Sequence, residues 1–72
     1  MFSYQELLVM DAVARRGSFS SAAAELYKVP SAISYTIKSL EDRLSVTLFT
    51  RLYRKVEITD AGFFLSNKHE LF

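Results

Sequence analysis

A mainly α domain of three helices, a two-stranded hairpin and the start of a fourth helix is what these 72 residues predict. Three observations carry that expectation. Apolar residues recur at helical spacing in 3–15, 20–27 and 30–44; two short β-rich runs follow at 46–51 and 56–59; and Thr59-Asp60 opens a last helical stretch.

In the first helix, about Ser3 to Arg15, the stripe is read as Leu7, Met10, Val13 and Ala14. Gly17 ends it, since glycine adopts the left-handed conformation of a helix terminus at no steric cost. Ser20 is the expected cap of a second helix reaching Tyr27, with Ala22, Ala23 and Leu26 inward. Pro30, the chain's single proline, suits the first position of a third helix, running to about Leu44. Ile33, Ile37, Leu40 and Leu44 make its inner stripe, and Ser31, Ser34, Tyr35, Lys38 and Asp42 its outer face. The runs from Val46 to Arg51 and from Val56 to Thr59 read as a hairpin joined through Leu52-Tyr53-Arg54-Lys55. Thr59 caps the fourth helix, and Asp60 favours its positive end. Phe19, Leu26, Ile33, Ile37, Leu40, Leu48 and Phe49 form the expected core. The fourth helix has no stop signal before Phe72 and reads as cut off.

Composition excludes several functions. Without cysteine there is no disulfide framework, thiolate metal site or cysteine nucleophile. The longest apolar run, Leu7 to Met10, is four residues, far short of the roughly 20 that span a bilayer, and no basic segment precedes it to suggest a signal peptide. His69 has no second ligand at metal spacing and reads as a surface residue. No phosphate-cradling glycine loop or nucleophile–base pair is present, and Glu41 and Asp42 are adjacent rather than facing. Neither an enzyme nor a cofactor is expected.

The charge is lopsided. Residues 27–55 carry Lys28, Lys38, Arg43, Arg51, Arg54 and Lys55 against Glu41 and Asp42, a net +4, while the whole chain is only +1. A basic middle between acidic flanks fits one face that meets a polyanion, or simply a solvated, uneven surface. Helix order favours the first reading. Two helices joined by a short turn, the second polar outside, make a helix-turn-helix whose second helix fits a major groove about 12 Å wide. The hairpin with Arg51, Arg54 and Lys55 is then a wing beside the same duplex, and the fold a winged helix-turn-helix.

These residues also resemble a known family. Arg16-Gly17-Ser18-Phe19-Ser20-Ser21-Ala22-Ala23, Ala32-Ile33-Ser34, Ile37-Lys38-Ser39-Leu40-Glu41, Leu48-Phe49-Thr50-Arg51 and Ile58-Thr59-Asp60-Ala61-Gly62 look like the DNA-binding domain of LysR-type transcriptional regulators. The likeness covers about residues 4–65 without a gap. It implies a DNA-binding domain over 1–58, with the helix-turn-helix at 19–38 and the wing at 46–58, and a truncated linker helix over 59–72 that pairs two subunits. It also implies a cytoplasmic, nucleoid-associated regulator whose small-molecule inducer acts on an effector domain beyond this segment, with no membrane partner. Departures fall at Val29-Pro30-Ser31, where the family usually has Ser-Gln-Pro or Ser-Gln-Ser, and at Tyr35, where a basic residue is common. Ser45 and Tyr53 stand where glycine is frequent. The first two bear on base preference, the last two on turn geometry.

The expected roles follow. Pro30, Ser31, Ser34 and Tyr35 meet bases, although the short serine hydroxyls fit phosphates as well as base edges, or simply solvate the helix start. The Tyr35 ring either packs on a thymine methyl or offers its hydroxyl, unless it merely packs against the wing. Ser20, Ser21, Thr36, Lys38 and Arg51 meet the backbone, the serines through helix-start N–H groups. Arg51 alternatively braces the wing through Glu41 or Asp42. Arg54, with Lys55, enters a minor groove, unless Lys55 only balances the surface charge. Phe63, Phe64 and Leu71 exceed what a terminal helix needs and mark a dimer contact. The competing function is a winged helix that docks a partner protein through that fourth helix.

Overall fold

The computed structural model describes residues 2–70, with side chains as far as Leu65. Leu71, Phe72 and the side chain of His69 lie outside the described residues. The order is α1 (Tyr4–Arg16), α2 (Phe19–Leu26), α3 (Pro30–Leu44), β1 (Phe49–Leu52), β2 (Lys55–Ile58) and α4 (Asp60–Glu70).

Local chemistry sets the helix ends. Ser3 and Glu6 close a reciprocal capping box on α1: Ser3 Oγ accepts from the Glu6 N–H at 3.1 Å, and Glu6 Oε1 from the Ser3 N–H at 2.9 Å. Gly17 ends α1 at φ 74°, its N–H bonded to the Val13 carbonyl at 2.9 Å. The cap of α2 is Ser18, not Ser20 as the sequence suggested. Ser18 is extended and its Oγ accepts from the Ser21 N–H at 3.0 Å, so the helix begins at Phe19. The left-handed glycine redirects the chain so abruptly that the next residue is already in cap geometry. Tyr27 closes α2 at φ 58°, and Lys28 N–H reaches back to the Ala23 carbonyl at 2.9 Å.

The expected bounds of α3 agree with the structure. Val29 precedes it in extended conformation without a side-chain cap, and Ser45 ends it at φ 57°. Beyond it, Glu41 turns back from α3, and its Oε2 accepts from the N–H groups of Leu48 and Phe49 at 2.8 and 3.2 Å. That carboxylate holds the chain out of a strand until Phe49, so Val46 and Thr47 lie outside the wing strands. The strands pair antiparallel, Phe49 with Ile58 through Leu52 with Lys55. Leu52 and Lys55 therefore belong to the ladder, and the turn is only Tyr53-Arg54. Arg54 takes φ 69° in the second turn position, where glycine or asparagine ordinarily stands.

Val9, Met10, Ala12, Val13, Ala22, Ala23, Ile33, Ile37, Leu40, Leu48 and Phe49 form the core. Two expectations change here. The buried stripe of α1 includes Val9 and Ala12, while Leu7 is half-buried and Ala14 exposed. A helix flanked by both α2 and α3 needs a wide stripe, centred on Val9 and Val13. Phe19 and Leu26 are half-buried at the rim rather than enclosed.

Ion pairs tie the helices together outside the core. Arg15 bridges Asp11, four residues back, at 2.8 Å and Glu25 of α2, and Arg43 of α3 meets Glu6 of α1 at 2.9 Å. Hydrogen bonds from Arg43 and Arg15 respectively hold the Glu6 and Glu25 carboxyls below the ordinary 4.5. Both lowered values add stability that is complete above 4.5 and is lost as pH falls through the folded values. Melting temperature should stay level on acidification to about pH 5 and then fall, and Glu25→Gln with Glu6→Gln should flatten that fall in a pH series.

Thr59 joins the wing to α4. Its Oγ1 donates to the Thr47 carbonyl at 2.6 Å and accepts from the Gly62 N–H at 3.1 Å, as its expected capping role requires. A Cβ on Gly62 would stand 2.5 Å from the Leu48 carbonyl oxygen and 2.8 Å from Ile58 Cγ1. Alanine there gains about 1 kcal/mol of helix propensity but meets a backbone atom, an overpacking cost of about 1–3 kcal/mol. Gly62→Ala should therefore lower the melting temperature in calorimetry, by about 4–8 °C per net kcal/mol.

Candidate nucleic-acid interface

Burying Ile33, Ile37 and Leu40 turns the opposite side of α3 outward. Ser31, Tyr35 and Lys38 are exposed there, Tyr35 at 75%, so it does not pack away against the wing. Pro30 is exposed one turn before Ser34. Ser34 is half-buried, and its Oγ accepts from Arg51 Nη2 of the wing at 3.2 Å. The Thr36 hydroxyl donates to the Ala32 carbonyl at 3.0 Å, which leaves its oxygen only as an acceptor. Lys38 Nζ lies 3.8 Å from Asp42 Oδ2, a loose and largely exposed pair on the helix surface.

Arg51 joins three elements. Besides bonding to Ser34 of α3, its guanidinium lies over the Phe19 ring of α2, 4.6 Å from the centroid. The carboxylates expected to brace it are engaged elsewhere, Glu41 with the Leu48 and Phe49 amides and Asp42 with Lys38. Arg54 repeats the arrangement at the wing tip, 5.1 Å above the Tyr53 ring. Lys55 is 3.4 Å from Glu57 on the same strand.

The wing and the start of α2 line an open groove of about 300 Å³, bordered by Ser18, Phe19 and Ser20 together with Arg51, Arg54 and Lys55. A helix start that shares a groove with Arg51, Arg54 and Lys55 suits an oxyanion. The Ser21 N–H is taken by Ser18, so the first-turn donors left are those of Phe19 and Ser20, which corrects the expected use of Ser21. Phe19 and Tyr53 as platforms for arginines were missed in the sequence. The neighbouring Tyr53-Arg54 was a visible signal; the Phe19–Arg51 contact, between distant segments, was not.

Among the described residues no group of histidine, aspartate and glutamate is placed to hold a metal ion. Phe63 and Phe64 of α4 are exposed.

Three helices with a wing beside the second helix of a helix-turn-helix define a winged helix-turn-helix domain. The family model described as bacterial regulatory helix-turn-helix protein, lysR family, matches residues 4–63, and the chain belongs to that family, one of regulators rather than enzymes. The HTH-type transcriptional regulator PunR of Escherichia coli K12 is 60% identical over 62 residues, covering 86% of this chain and 20% of that protein. The probable HTH-type transcriptional regulator YhaJ of the same organism is 52% identical over 58 residues, 81% of this chain and 20% of that protein. The chain thus spans about one fifth of the length of these curated relatives. Among solved structures, the CbnR DNA-binding domain in complex with DNA superposes with a TM-score of 0.89 at 29% identity, over 96% of this chain and 79% of that one. The BenM DNA-binding domain on benA site 1 DNA gives 0.85 at 30% identity, over 93% and 75%.

Arg51→Lys keeps the charge but loses the planar group that both stacks on Phe19 and reaches Ser34. It should cost about 0.5–1 kcal/mol of stability and speed amide exchange in β1, and a double-mutant cycle with Phe19→Leu should show the coupling.

Proposed function

We propose that this chain is the sequence-specific, double-stranded-DNA-binding part of a bacterial LysR-type transcriptional regulator. The observation that carries the reading is the continuous outward surface of α3 and the wing, hydroxyl-bearing along the helix and cationic beside it. The family membership and the DNA complexes of CbnR and BenM support it over the protein-docking alternative.

In this reading α3 enters the major groove, with Pro30, Ser31, Ser34 and Tyr35 at base edges. Ser20, Thr36, Lys38 and Arg51 hold the backbone, Ser20 through its N–H and Thr36 through its free acceptor. Arg54 and Lys55 approach the adjacent minor groove, whose narrow A-tracts attract arginine. Arg15, Arg16 and Arg43 are engaged with carboxylates of α1 and α2, so they are not assigned to phosphates.

Two copies pair through Phe63 and Phe64 of α4 together with Leu71, which follows it in the sequence, placing the two α3 helices in major grooves about 34–36 Å apart or a multiple of it. A small-molecule inducer acts through a C-terminal domain of the whole protein, not through this segment. No helix among the described residues is long and apolar enough to cross a membrane. The cytoplasmic nucleoid is the compartment that a DNA target implies.

Binding of random duplex DNA across a salt series is the direct test. Several phosphate contacts give a log–log slope of about −0.9 per contact, whereas a protein-docking module gives a shallow one. Lys38→Ala should weaken all sequences alike and flatten the slope by about one unit; loss of discrimination at one base pair instead would remove Lys38 from the backbone. Arg54→Ala should reduce preference for A·T-rich flanks more than it reduces binding to the remaining site, as read in competition between flank variants.

A further inference from the structure

The entry to α3 has an unusual chemistry. Residues that cap a helix are ordinarily Ser, Thr, Asp or Asn, because a side-chain oxygen satisfies a first-turn N–H. Val29 occupies that position here, with no side-chain cap bond, and it is 62% exposed. The Ala32 N–H turns instead to the Val29 carbonyl at 3.0 Å, so no side-chain oxygen serves this helix start, and the exposed valine buries little apolar area in return. Pro30 follows, exposed and without an N–H. The turn before them projects Tyr27, 95% exposed and held left-handed. An apolar step therefore stands at the end of α3 that adjoins Ser31 and, one turn on, Ser34.

Resting on the DNA-binding reading above, we propose that Val29 and Pro30 read thymine by its C5 methyl group in the major groove. The side chains of valine and proline have no donor or acceptor, so the hydrogen-bonding edges of the bases give them nothing to match. The thymine methyl is the one apolar feature that a base pair displays in that groove. Placed opposite the cytosine amino group or the guanine oxygen, the same surface would strip water from a polar atom and supply no partner, which discriminates against those bases. The step is bordered in the chain by the exposed polar residues Lys28 and Ser31, a setting that suits a base edge beside a phosphate backbone. It continues the α3 surface assigned to the groove. The first turn of a recognition helix is also the part that reaches base edges.

The test uses the chain itself and duplexes enriched by it from a random library, resynthesised with deoxyuridine in place of individual thymines. Deoxyuridine keeps every hydrogen-bonding group and lacks only the methyl. At one or more positions in each half-site the substitution should weaken binding about fourfold, the factor equivalent to about 0.8 kcal/mol for one buried carbon. The salt slope should not change. Val29→Ser should erase that penalty while the melting temperature holds or rises, because serine supplies the missing cap; Pro30→Ala should reduce it. Equal binding of thymine and uracil duplexes, with a steep salt slope retained, would overturn the methyl reading and leave DNA binding standing. A penalty that persists undiminished in both variants would move the methyl contact elsewhere and overturn it as well. Failure to enrich any duplex would remove the DNA-binding reading itself.

Discussion

Ile33, Ile37 and Leu40 lie sealed in the core with residues of α1 and α2, and the rest of the surface chemistry depends on that burial. A helix has two sides, and fixing one inward fixes the other outward. Because the buried residues recur at four and three positions, the outward set is equally regular, and Ser31, Tyr35 and Lys38 stand free of the body of the protein. The small side chains of Ala22 and Ala23 are buried in the same core, where they let a neighbouring helix approach closely.

The second constraint is how cations and carboxylates are shared out. Arg15, Arg16 and Arg43 are matched with Asp11, Glu25 and Glu6, which clamp α1 to its neighbours. Arg51 and Arg54 have no carboxylate partner among the described residues and instead lie over Phe19 and Tyr53. An arginine on an aromatic ring keeps its full charge and its outward donors, while a carboxylate partner would neutralise it. The same residue type thus serves cohesion between the helices and an open positive surface at the wing. Arg51 also reaches Ser34, so wing and recognition surface are held as one piece.

Glu41 shows how a single carboxylate decides topology. By accepting from the Leu48 and Phe49 amides it anchors the chain below α3 and delays the strand until Phe49. Thr59 does the corresponding work on the far side of the wing, bonding to the Thr47 carbonyl and capping α4. Between these anchors the hairpin has only a two-residue turn. Arg54, in its left-handed conformation, is therefore displayed at the tip.

Much of this was legible in the residue order. The spacing of Ile33, Ile37 and Leu40, the proline at the start of α3, and Thr59-Asp60 before α4 are local signals, because helix period and capping act within a few residues. The ordered blocks from Arg16 to Gly62 likewise carried the family. What local signals left open was settled by contacts between distant segments. Ser18 rather than Ser20 caps α2 because Gly17 turns the chain first. The inner stripe of α1 widens from Met10 and Val13 to take in Val9 and Ala12 because two helices flank it. Arg51 pairs with Phe19 and Ser34 rather than with an acid. Periodicity states which residues share a face of one helix, and only packing decides which neighbour that face meets and which charges are left to the solvent.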